Sequence, residues 1–432
     1  MSARKIDPEI FRNIFKDHWS EFQKTHPAYA TEHYSEVVQK MLGCGLEAWG
    51  YAEYCCPHCG RGTRRVAFTC KSCFCLSCSK VYTDEFVAQV SRVLQPGLIY
   101  RHMILTVPEQ LRIIFYRDRF SGKLLSSLMK CGSECLEGVV KRAVRQPVKI
   151  GSIVVVQTHG RSGHYNPHLH VIMTSGGINE TTGKWVELGY FPFEIIHKKW
   201  QYALLSMMKA AVPTPEMAVL IDELYEKYPK GLVAHVTKGT VPEQCRGLAK
   251  YLAKYVASPP IAVSRITSYA NAEVTYWYND HRTKGKEEVT VPVMTFIGWM
   301  VQHILLKGFQ RIRYYGLQST RTFQKWVTAI KEGLLKIGRK LKGTYQIVAV
   351  KRYRERYAEV SGRDPLRCHY CGQAMVLWRL WHPKYGTYYD EQERIKAGRY
   401  EPYQREGSPG GDGSAVWSST GGVPLPLSLL WG

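Results

Sequence analysis

Residues 149–175, KIGSIVVVQTHGRSGHYNPHLHVIMTS, contain the two strands on which the predicted fold is centred. The apolar run over 153–156 is typical of a buried strand. His168 and His170 begin a second strand, in which the alternation of side chains places both imidazoles on one face and Leu169 on the other, toward the core. The stretch therefore predicts two neighbouring strands with a histidine-bearing face.

The flanking segments extend these strands into a mixed domain. A β-rich segment over 98–108 and a helical stretch over 109–146 precede them, and a helix over 192–211, a strand over 231–237 and a helix over 242–257 follow. The resulting order β-α-β-β-α-β-α predicts an α+β fold with a central, largely antiparallel sheet.

The charge of the chain indicates a polyanionic partner. The 432 residues include 59 Lys and Arg against 36 Asp and Glu, a formal net charge of +23, and such an excess is typical of proteins that bind nucleic acid. No uncharged apolar run approaches the roughly 18 residues that cross a bilayer, which excludes a membrane protein. The N-terminus has no apolar signal core, so we expect cytoplasmic residence, near the nucleoid if DNA is bound.

The cysteines are concentrated near the N-terminus. Seven of the thirteen lie within residues 55–78, a density that favours metal over disulfides in a reducing compartment. Two CxxC pairs separated by fifteen residues predict a structural zinc site of four thiolates. The predicted ligands are Cys56, Cys59, Cys75 and Cys78. Cys55, Cys70 and Cys73 are surplus, and the alternatives are that Cys70 replaces a member of the quartet or that a second metal shares ligands with the first.

A further pair, Cys368-x2-Cys371, forms half of a second zinc site. His369 and His382 could complete it, and two reduced structural cysteines are an equal alternative. We interpret the remaining cysteines as buried small residues; these are Cys44, Cys131, Cys135 and Cys245.

These features divide the chain into five expected segments. They are a helical segment with a zinc module over 1–92, the α+β domain over 93–260, a basic region over 261–360, a small CxxC-containing module over 361–404 and a tail over 405–432. The tail is rich in Gly, Ser and Pro with almost no charge, so we expect it to be disordered.

The histidine pair provides half of a catalytic metal site. Gln157 on the adjoining strand could supply an oxygen ligand to the same face as His168 and His170, and His159 and His164 are competing candidates. A mixed site of two histidines and an amide suits a divalent ion that polarises phosphate oxygens.

Two tyrosines lie one helical turn apart in RGLAKYLAKYV. Tyr251 and Tyr255 share a helix face, and Lys250 and Lys254 beside them could bind phosphate. Tyrosines at a boundary between helix and core are the alternative interpretation. Because tyrosine is a weak nucleophile, phosphodiester cleavage by it requires a metal, and the two motifs together predict that chemistry.

Four stretches carry a resemblance to a known family: QTHG (157–160), NPHLHVIMTSGG (166–177), YLAKYVASPPIAVSRI (251–266) and HILLKGFQRIRYYGLQS (303–319). With the N-terminal CPHCG and TCKSCFCLSC and the C-terminal CHYCGQAM and WHPKYGTYYD, they resemble the two-tyrosine HUH transposases of rolling-circle insertion sequences, the insertion-sequence-91 family. Cys73, where an arginine is usual, and His159, where an aromatic is usual, depart from the pattern.

The resemblance implies an HUH nuclease domain with a ferredoxin-like or RRM-like central sheet. It implies that His168 and His170 bind Mg2+ or Mn2+ and that Tyr251 and Tyr255 nick single-stranded DNA, leaving a 5′-phosphotyrosine and a free 3′-hydroxyl. Its implied partners are single-stranded DNA at the element ends and at the target. The sequence contains no GxxxxGK[ST] loop, so ATP-driven unwinding would come from a host helicase.

The basic segment over 307–315 is a predicted DNA-contacting region, together with Lys250 and Lys254. The guanidinium group of arginine forms paired hydrogen bonds to phosphates, and tyrosine rings can stack on bases. The alternative is a solvated basic face with two core tyrosines. The residues concerned are Lys307, Arg311, Arg313, Tyr314 and Tyr315.

Two other functions are compatible with the sequence. A non-catalytic DNA-binding protein would use the zinc module for binding and the histidines for packing. A replication initiator or relaxase would use the same nicking chemistry for a different outcome.

Overall fold

A computed structural model describes most of the chain up to residue 398. The described residues are 7–95, 97–189, 193–236, 247, 249–251, 253, 259–280, 283, 285–338, 349 and 351–398. Lys254, Tyr255, Cys245 and the predicted tail lie outside them.

Helices and strands alternate through the described part of the chain. The helices are α1 Ile10–Thr25, α2 Glu32–Leu42, α3 Ser79–Ser91, α4 Glu109–Arg117, α5 Lys123–Val144, α6 Phe193–Ala211, α7 Pro215–Lys227, α8 Val293–Val301, α9 Phe323–Leu335, α10 Tyr353–Ser361 and α11 Glu391–Lys396. The strands are β1 Tyr51–Cys55, β2 Thr63–Ala67, β3 Tyr100–Thr106, β4 Val148–His159, β5 Tyr165–Asn179, β6 Trp185–Glu187, β7 Ala234–Val236, β8 Ile266–Ala270, β9 Glu273–Asn279, β10 Lys286–Pro292, β11 Ile312–Gly316, β12 Val376–His382 and β13 Gly386–Asp390.

The central sheet is antiparallel, with strand order β11-β4-β5-β3-β7 and β6 paired to β5. The two strands predicted from 149–175 are its middle, β4 and β5, and Gln157 lies directly opposite His168 in their register. β11 comes from the basic region and pairs with β4. The predicted α+β class with a central antiparallel sheet is confirmed.

The two faces of the central sheet pack against different helices. Leu169 is fully buried on the back face, in a core to which α5 and α6 contribute Leu128 and Trp200. On the front face, Ile172 packs with side chains of α3 and α9 and with Ala249 of the tyrosine segment, which we define as the described helical residues 247, 249–251 and 253. The front face also carries the histidines, so the tyrosine segment lies beside them.

The helical stretch predicted over 109–146 is interrupted. The structure divides it into α4 and α5, because Gly122 adopts a left-handed conformation with φ 64°. Asp118 stabilises the break by accepting a hydrogen bond from the backbone N–H of Leu124 at 2.7 Å. The left-handed Gly122 and the Asp118 side chain before it together separate the two helices.

In the described part of the chain, segments that are distant in sequence pack together. The N-terminal helices α1 and α2 share a core with β9, β10 and α8, which belong to the basic region. The N-terminal strands β1 and β2 form a second sheet with the C-terminal hairpin, in the order β13-β12-β1-β2, which we call the terminal sheet. No helix among the described residues is both long and apolar enough to cross a membrane.

Candidate active site and thiol clusters

His168 and His170 present their imidazoles on the front face of β5. The two Nε2 atoms lie 3.2 Å apart, and Leu169 between them is buried on the opposite face. Strand alternation produces this arrangement from the His-Leu-His sequence, as predicted. Two ring nitrogens at that spacing point toward a common position.

Gln157 completes a set of three ligand atoms, which we call the ligand trio. Its Oε1 lies 3.1 Å from His170 Nε2. Ligand atoms bound about 2.1 Å from one metal ion at right angles are about 3 Å apart, the spacing seen here. The residues present therefore fit a small divalent cation. His168 and His170 as ligands, and Gln157 as the third, remain predictions.

The two histidines of the ligand trio favour the neutral form at neutral pH. Burial lowers the pKa of His168, and burial together with neighbouring His168 lowers the pKa of His170 well below its usual range. Neutral imidazole is the form that ligates metals. The site therefore keeps lone pairs available near pH 7.

His102 on β3 is a member of the site that the sequence analysis missed. Its Nε2 lies 3.0 Å from His170 Nδ1, and its Nδ1 lies 2.8 Å from the hydroxyl of Tyr251. Burial, with a smaller contribution from the charge of His235, lowers the pKa of His102 to about 4. Alternation along RHMILTVP was the available signal, because it puts His102 on one face of a strand adjoining the histidine pair.

The tyrosine segment holds one of the two predicted nucleophiles against this network. Ala249 and Ala253 are buried on the sheet, while Lys250 is exposed to solvent. The Tyr251 ring is half-buried and meets His102 edge-on, with centroids 5.4 Å apart. Tyr255 and Lys254 lie outside the described residues, so their predicted roles stay predictions.

The competing histidines also lie near the trio. Gln157 Nε2 donates to His159 Nε2 at 3.1 Å, which leaves Gln157 Oε1 directed at His170. His164 Nδ1 lies 3.1 Å from the Ser162 hydroxyl. His159 thus orients the amide of Gln157, whereas His164 belongs to the rim of the cavity described next.

An open cavity of about 730 Å3 lies over the trio. Three arginines line it, Arg112, Arg161 and Arg265, against one acidic residue among those described, Asp280. Cations around a metal-ligand set favour a polyanion, because they offset phosphate charge. The cavity therefore suits a nucleic-acid backbone.

The predicted DNA-contacting residues of the basic segment lie mainly on β11. Lys307 is exposed beside Glu36, and Arg313 donates to the Ser126 hydroxyl at 2.7 Å. Tyr314 and Tyr315 are half-buried against the front-face and back-face cores, respectively. Arg311 donates to the backbone oxygen of Val156 at 3.2 Å. A role for these five residues in DNA contact stays a prediction.

The structure corrects the grouping of the predicted zinc quartet. Cys75 and Cys78 lie in a cluster with Cys70 and Cys44, the N-terminal cluster, in which Cys44 Sγ is 3.3 Å from Cys78 Sγ. Cys44, interpreted from sequence as a buried small residue, is therefore a member. Hydrogen bonds from the neighbouring thiols lower the pKa of Cys44. The alternative in which Cys70 joins the quartet agrees with this cluster.

The β1–β2 hairpin is the reason for the different grouping. Cys56 and Cys59 lie in its turn, while Cys70 follows the far end of β2. Five paired residues at about 3.3 Å each separate the two ends by about 16 Å, so the two CxxC pairs cannot share one ion.

Cys56 and Cys59 instead meet the C-terminal pair. With Cys368 and Cys371 they form a second cluster, the terminal cluster. His369 and His382 are outside it: the ring of His369 packs on Tyr370, and His382 Nδ1 accepts from the backbone N–H of Lys384. The C-terminal pair is therefore completed by cysteines.

Comparisons with known proteins match two regions of the chain. A family model described as "Transposase zinc-binding domain" matches residues 14–107, and one described as "Putative transposase" matches residues 151–325. The chain belongs to the insertion-sequence-91 family of transposases. The first model spans the N-terminal cluster, and the second spans most of β4, all of β5 and the tyrosine segment.

Two curated relatives resemble this transposase over most of their length. The "Transposase for insertion sequence element IS801" of Pseudomonas savastanoi pv. phaseolicola is 27% identical over 355 residues, which are 79% of this chain and 82% of the relative. The "Putative transposase y4qJ" of Sinorhizobium fredii is 24% identical over 388 residues, 86% of this chain and 94% of the relative. No solved structure matches the transposase significantly. The transposase is thus a DNA-processing enzyme with a zinc-binding domain.

Proposed function

We propose that this transposase nicks single-stranded DNA at the ends of its element with a tyrosine nucleophile and transfers the strands in rolling-circle transposition. One observation carries the proposal. Tyr251 is joined through His102 to His170 of the ligand trio, on a single face of the sheet. A nucleophile beside a metal-ligand set is the arrangement that phosphodiester cleavage by tyrosine requires.

The chemistry is a displacement at phosphorus. The Tyr251 oxygen forms a bond to phosphorus, the bond from phosphorus to the 3′ oxygen breaks, and the proton lost by the phenol is balanced by one gained at the 3′ oxygen. The products are a 5′-phosphotyrosine and a free 3′-hydroxyl. Attack by that type of hydroxyl on a phosphotyrosine reverses the step and joins strands, so no external energy source is needed.

The trio and the cavity have complementary roles in this step. His168, His170 and Gln157 would hold Mg2+ or Mn2+, which when bound supplies polarisation of a phosphate oxygen. The guanidinium groups of Arg112, Arg161 and Arg265 would hold the neighbouring phosphates.

His102 would set the proton positions between the trio and the nucleophile. A ligating His170 keeps Nε2 free of a proton, so its proton lies on Nδ1 and is donated to His102 Nε2. His102 then carries its own proton on Nδ1, 2.8 Å from the Tyr251 oxygen, and donates to it. A hydrogen bond donated to the phenol oxygen favours the phenolate. His102 is thus a positioning residue for both His170 and Tyr251.

Two tyrosines are proposed to allow one strand end to be held while a second is cleaved, with Tyr255 as the partner of Tyr251. Single-stranded DNA at the element ends and at the target are the proposed substrates. A host helicase is the proposed source of that single strand.

A covalent adduct tests the proposal. The full chain is incubated with labelled single-stranded oligonucleotides from the element ends and Mg2+ or Mn2+, and adducts are sought after denaturation. We expect an adduct that chelation abolishes and that disappears only in the double variant Tyr251→Phe/Tyr255→Phe.

Tyr202→Phe, at a tyrosine that is 64% exposed on α6, is the matched control and should form the adduct normally. An adduct that persists in the double variant would contradict the assignment of the nucleophiles. Salt-sensitive DNA binding by the wild type without any adduct would indicate the non-catalytic binding function instead.

A further inference from the structure

The terminal cluster brings together cysteines from opposite ends of the described chain. Cys56 and Cys59 follow β1, and Cys368 and Cys371 precede β12. Cys59 and Cys368 are 309 residues apart in sequence, yet their sulfurs are 3.6 Å apart. Antiparallel pairing of β1 with β12, with Cys55 opposite Val376, delivers both pairs to the same end of the terminal sheet.

We propose that Cys56, Cys59, Cys368 and Cys371 bind a second zinc ion, and that this ion fastens the C-terminal hairpin β12–β13 to the N-terminal hairpin β1–β2. The pair Cys368 and Cys371 lies outside both matched family ranges, 14–107 and 151–325. The proposal does not depend on the nicking function.

The distances between sulfurs fit a tetrahedral zinc site. Sulfurs about 2.3 Å from zinc are about 3.8 Å apart along a tetrahedron edge. Cys56 Sγ lies 3.5 Å from Cys371 Sγ, and Cys59 Sγ lies 3.6 Å from Cys368 Sγ. Both distances are far longer than the roughly 2.05 Å of a disulfide. The four thiols therefore converge without forming disulfides, as the ligands of one zinc ion do.

The two CxxC pairs have the same local backbone. In each, the glycine after the second cysteine donates its N–H to the carbonyl of the first cysteine, Gly60 to Cys56 at 3.1 Å and Gly372 to Cys368 at 2.8 Å. Both glycines are left-handed, with φ 64° and 72°. Two matching turns present their sulfurs toward each other, as the two halves of a four-thiolate site do.

The backbone also comes close to the sulfurs of the terminal cluster. The backbone N–H of Cys56 donates to the carbonyl of Gly62 at 2.9 Å, which closes the turn of the β1–β2 hairpin around Cys59. Gly62 is close to the opposite pair, since a Cβ at this position would lie 2.5 Å from Cys368 Sγ. The chain therefore approaches the sulfurs closely on one side.

A bound zinc ion would stabilise the terminal sheet, whose apolar core is small. Its buried cluster consists of Cys56, Cys368 and Met375, with Tyr54 and two cysteines partly buried. All seven residues of β12 are only half-buried. Two hairpins with so little apolar burial are marginal on their own, and a structural zinc ion supplies folding free energy directly.

Metal stoichiometry tests the proposal on the full-length protein. We expect wild type purified under reducing conditions to hold two zinc ions per chain, and Cys368→Ser/Cys371→Ser to hold one. The matched control is Cys55→Ser/Cys73→Ser, which changes two cysteines of the N-terminal module that lie outside both clusters and should retain two ions. One zinc ion in wild type, or two in the C-terminal variant, would overturn the proposal.

Two measurements on wild type keep the test independent of folding of the variants. Titration of the metal-free reduced chain with Co2+ should give thiolate-to-metal absorption that ends at two equivalents, whereas an end at one equivalent contradicts a second site. Alkylation mapped by peptide mass should show that chelation exposes Cys56, Cys59, Cys368 and Cys371 together. Disulfides among these four cysteines in freshly purified protein would contradict the proposed zinc site.

Discussion

His102 and Tyr251 are 149 residues apart in sequence, and their side chains meet at 2.8 Å between Nδ1 and the phenol oxygen. The other nitrogen of His102 contacts His170. The contact therefore connects the segment that carries the nucleophile to the strand that carries the metal ligands, and it passes through one buried ring.

Replacement of His102 should weaken the metal site. His102→Leu removes the hydrogen bond to His170 Nδ1, and loss of such a partner costs about 10–100-fold in metal affinity or activity. Calorimetric titration with Mn2+ measures the affinity without DNA. The control is His18→Leu, on α1, where the ring lies near Glu21. Equal Mn2+ affinity in His102→Leu and wild type would refute the role.

Acid should destabilise the fold in part through His303. Burial lowers the pKa of this histidine to about 4, and its Nε2 donates to the Gly163 carbonyl at 2.9 Å. Because the folded pKa lies below the unfolded value of about 6.5, the neutral form stabilises the fold above pH 6.5, and the contribution is lost as pH falls toward 4.

Between pH 7 and pH 5 this loss is about 2 kcal/mol. His303→Gln retains a donor and an acceptor without the titration, so its free energy of unfolding should fall less over the same interval. Urea unfolding at both pH values measures the difference. Identical pH dependence in variant and wild type would exclude His303 as the source.

Two glycines of α5 should respond to alanine in opposite directions. A Cβ on Gly132 would lie 2.5 Å from Leu169 Cδ1, beneath the histidine strand, whereas a Cβ on Gly138 meets nothing within 4 Å. Overpacking a core costs about 1–3 kcal/mol, and alanine in an exposed helix gains about 0.5–1 kcal/mol.

We therefore expect Gly132→Ala to lower and Gly138→Ala to raise the unfolding free energy measured with urea. Because Leu169 lies between His168 and His170, Gly132→Ala should also weaken Mn2+ binding. A stabilised Gly132→Ala would show that the helix does not pack this closely on the strand.

Arg161 should contribute to DNA binding through charge. It lines the cavity over the trio and is exposed. Arg161→Gln should weaken binding of all single-stranded sequences similarly and reduce the slope of log affinity against log salt by about 0.7 to 1, the effect of one lost phosphate contact. Fluorescence anisotropy across a salt series measures this slope. Arg394→Gln, on α11, is the control, and an equal slope change there would indicate a general charge effect.

Local patterns predicted the elements well. The alternation in HLHVIMTS identified the strand and the shared face of His168 and His170, and the apolar run before it identified β4, because side-chain periodicity is a property of the strand itself. The predicted helix over 242–257 likewise agrees with the helical residues of the tyrosine segment, whereas its place beside the sheet comes from the structure alone. The break at Gly122 was missed because it depends on the conformation of one residue and a cap from Asp118.

By itself, the sequence determined the α+β class, the histidine-bearing strand, the presence of thiol sites and the transposase family, because these follow from composition, periodicity and motifs. Only the tertiary structure decided which cysteines share a site and which histidine reaches Tyr251. Both depend on strand register: pairing of β1 with β2 and β12 separates Cys56 from Cys75 and joins it to Cys371, and pairing of β3 with β5 brings His102 to His170. Register is set by packing between segments distant in the chain, and spacing along the sequence does not encode it.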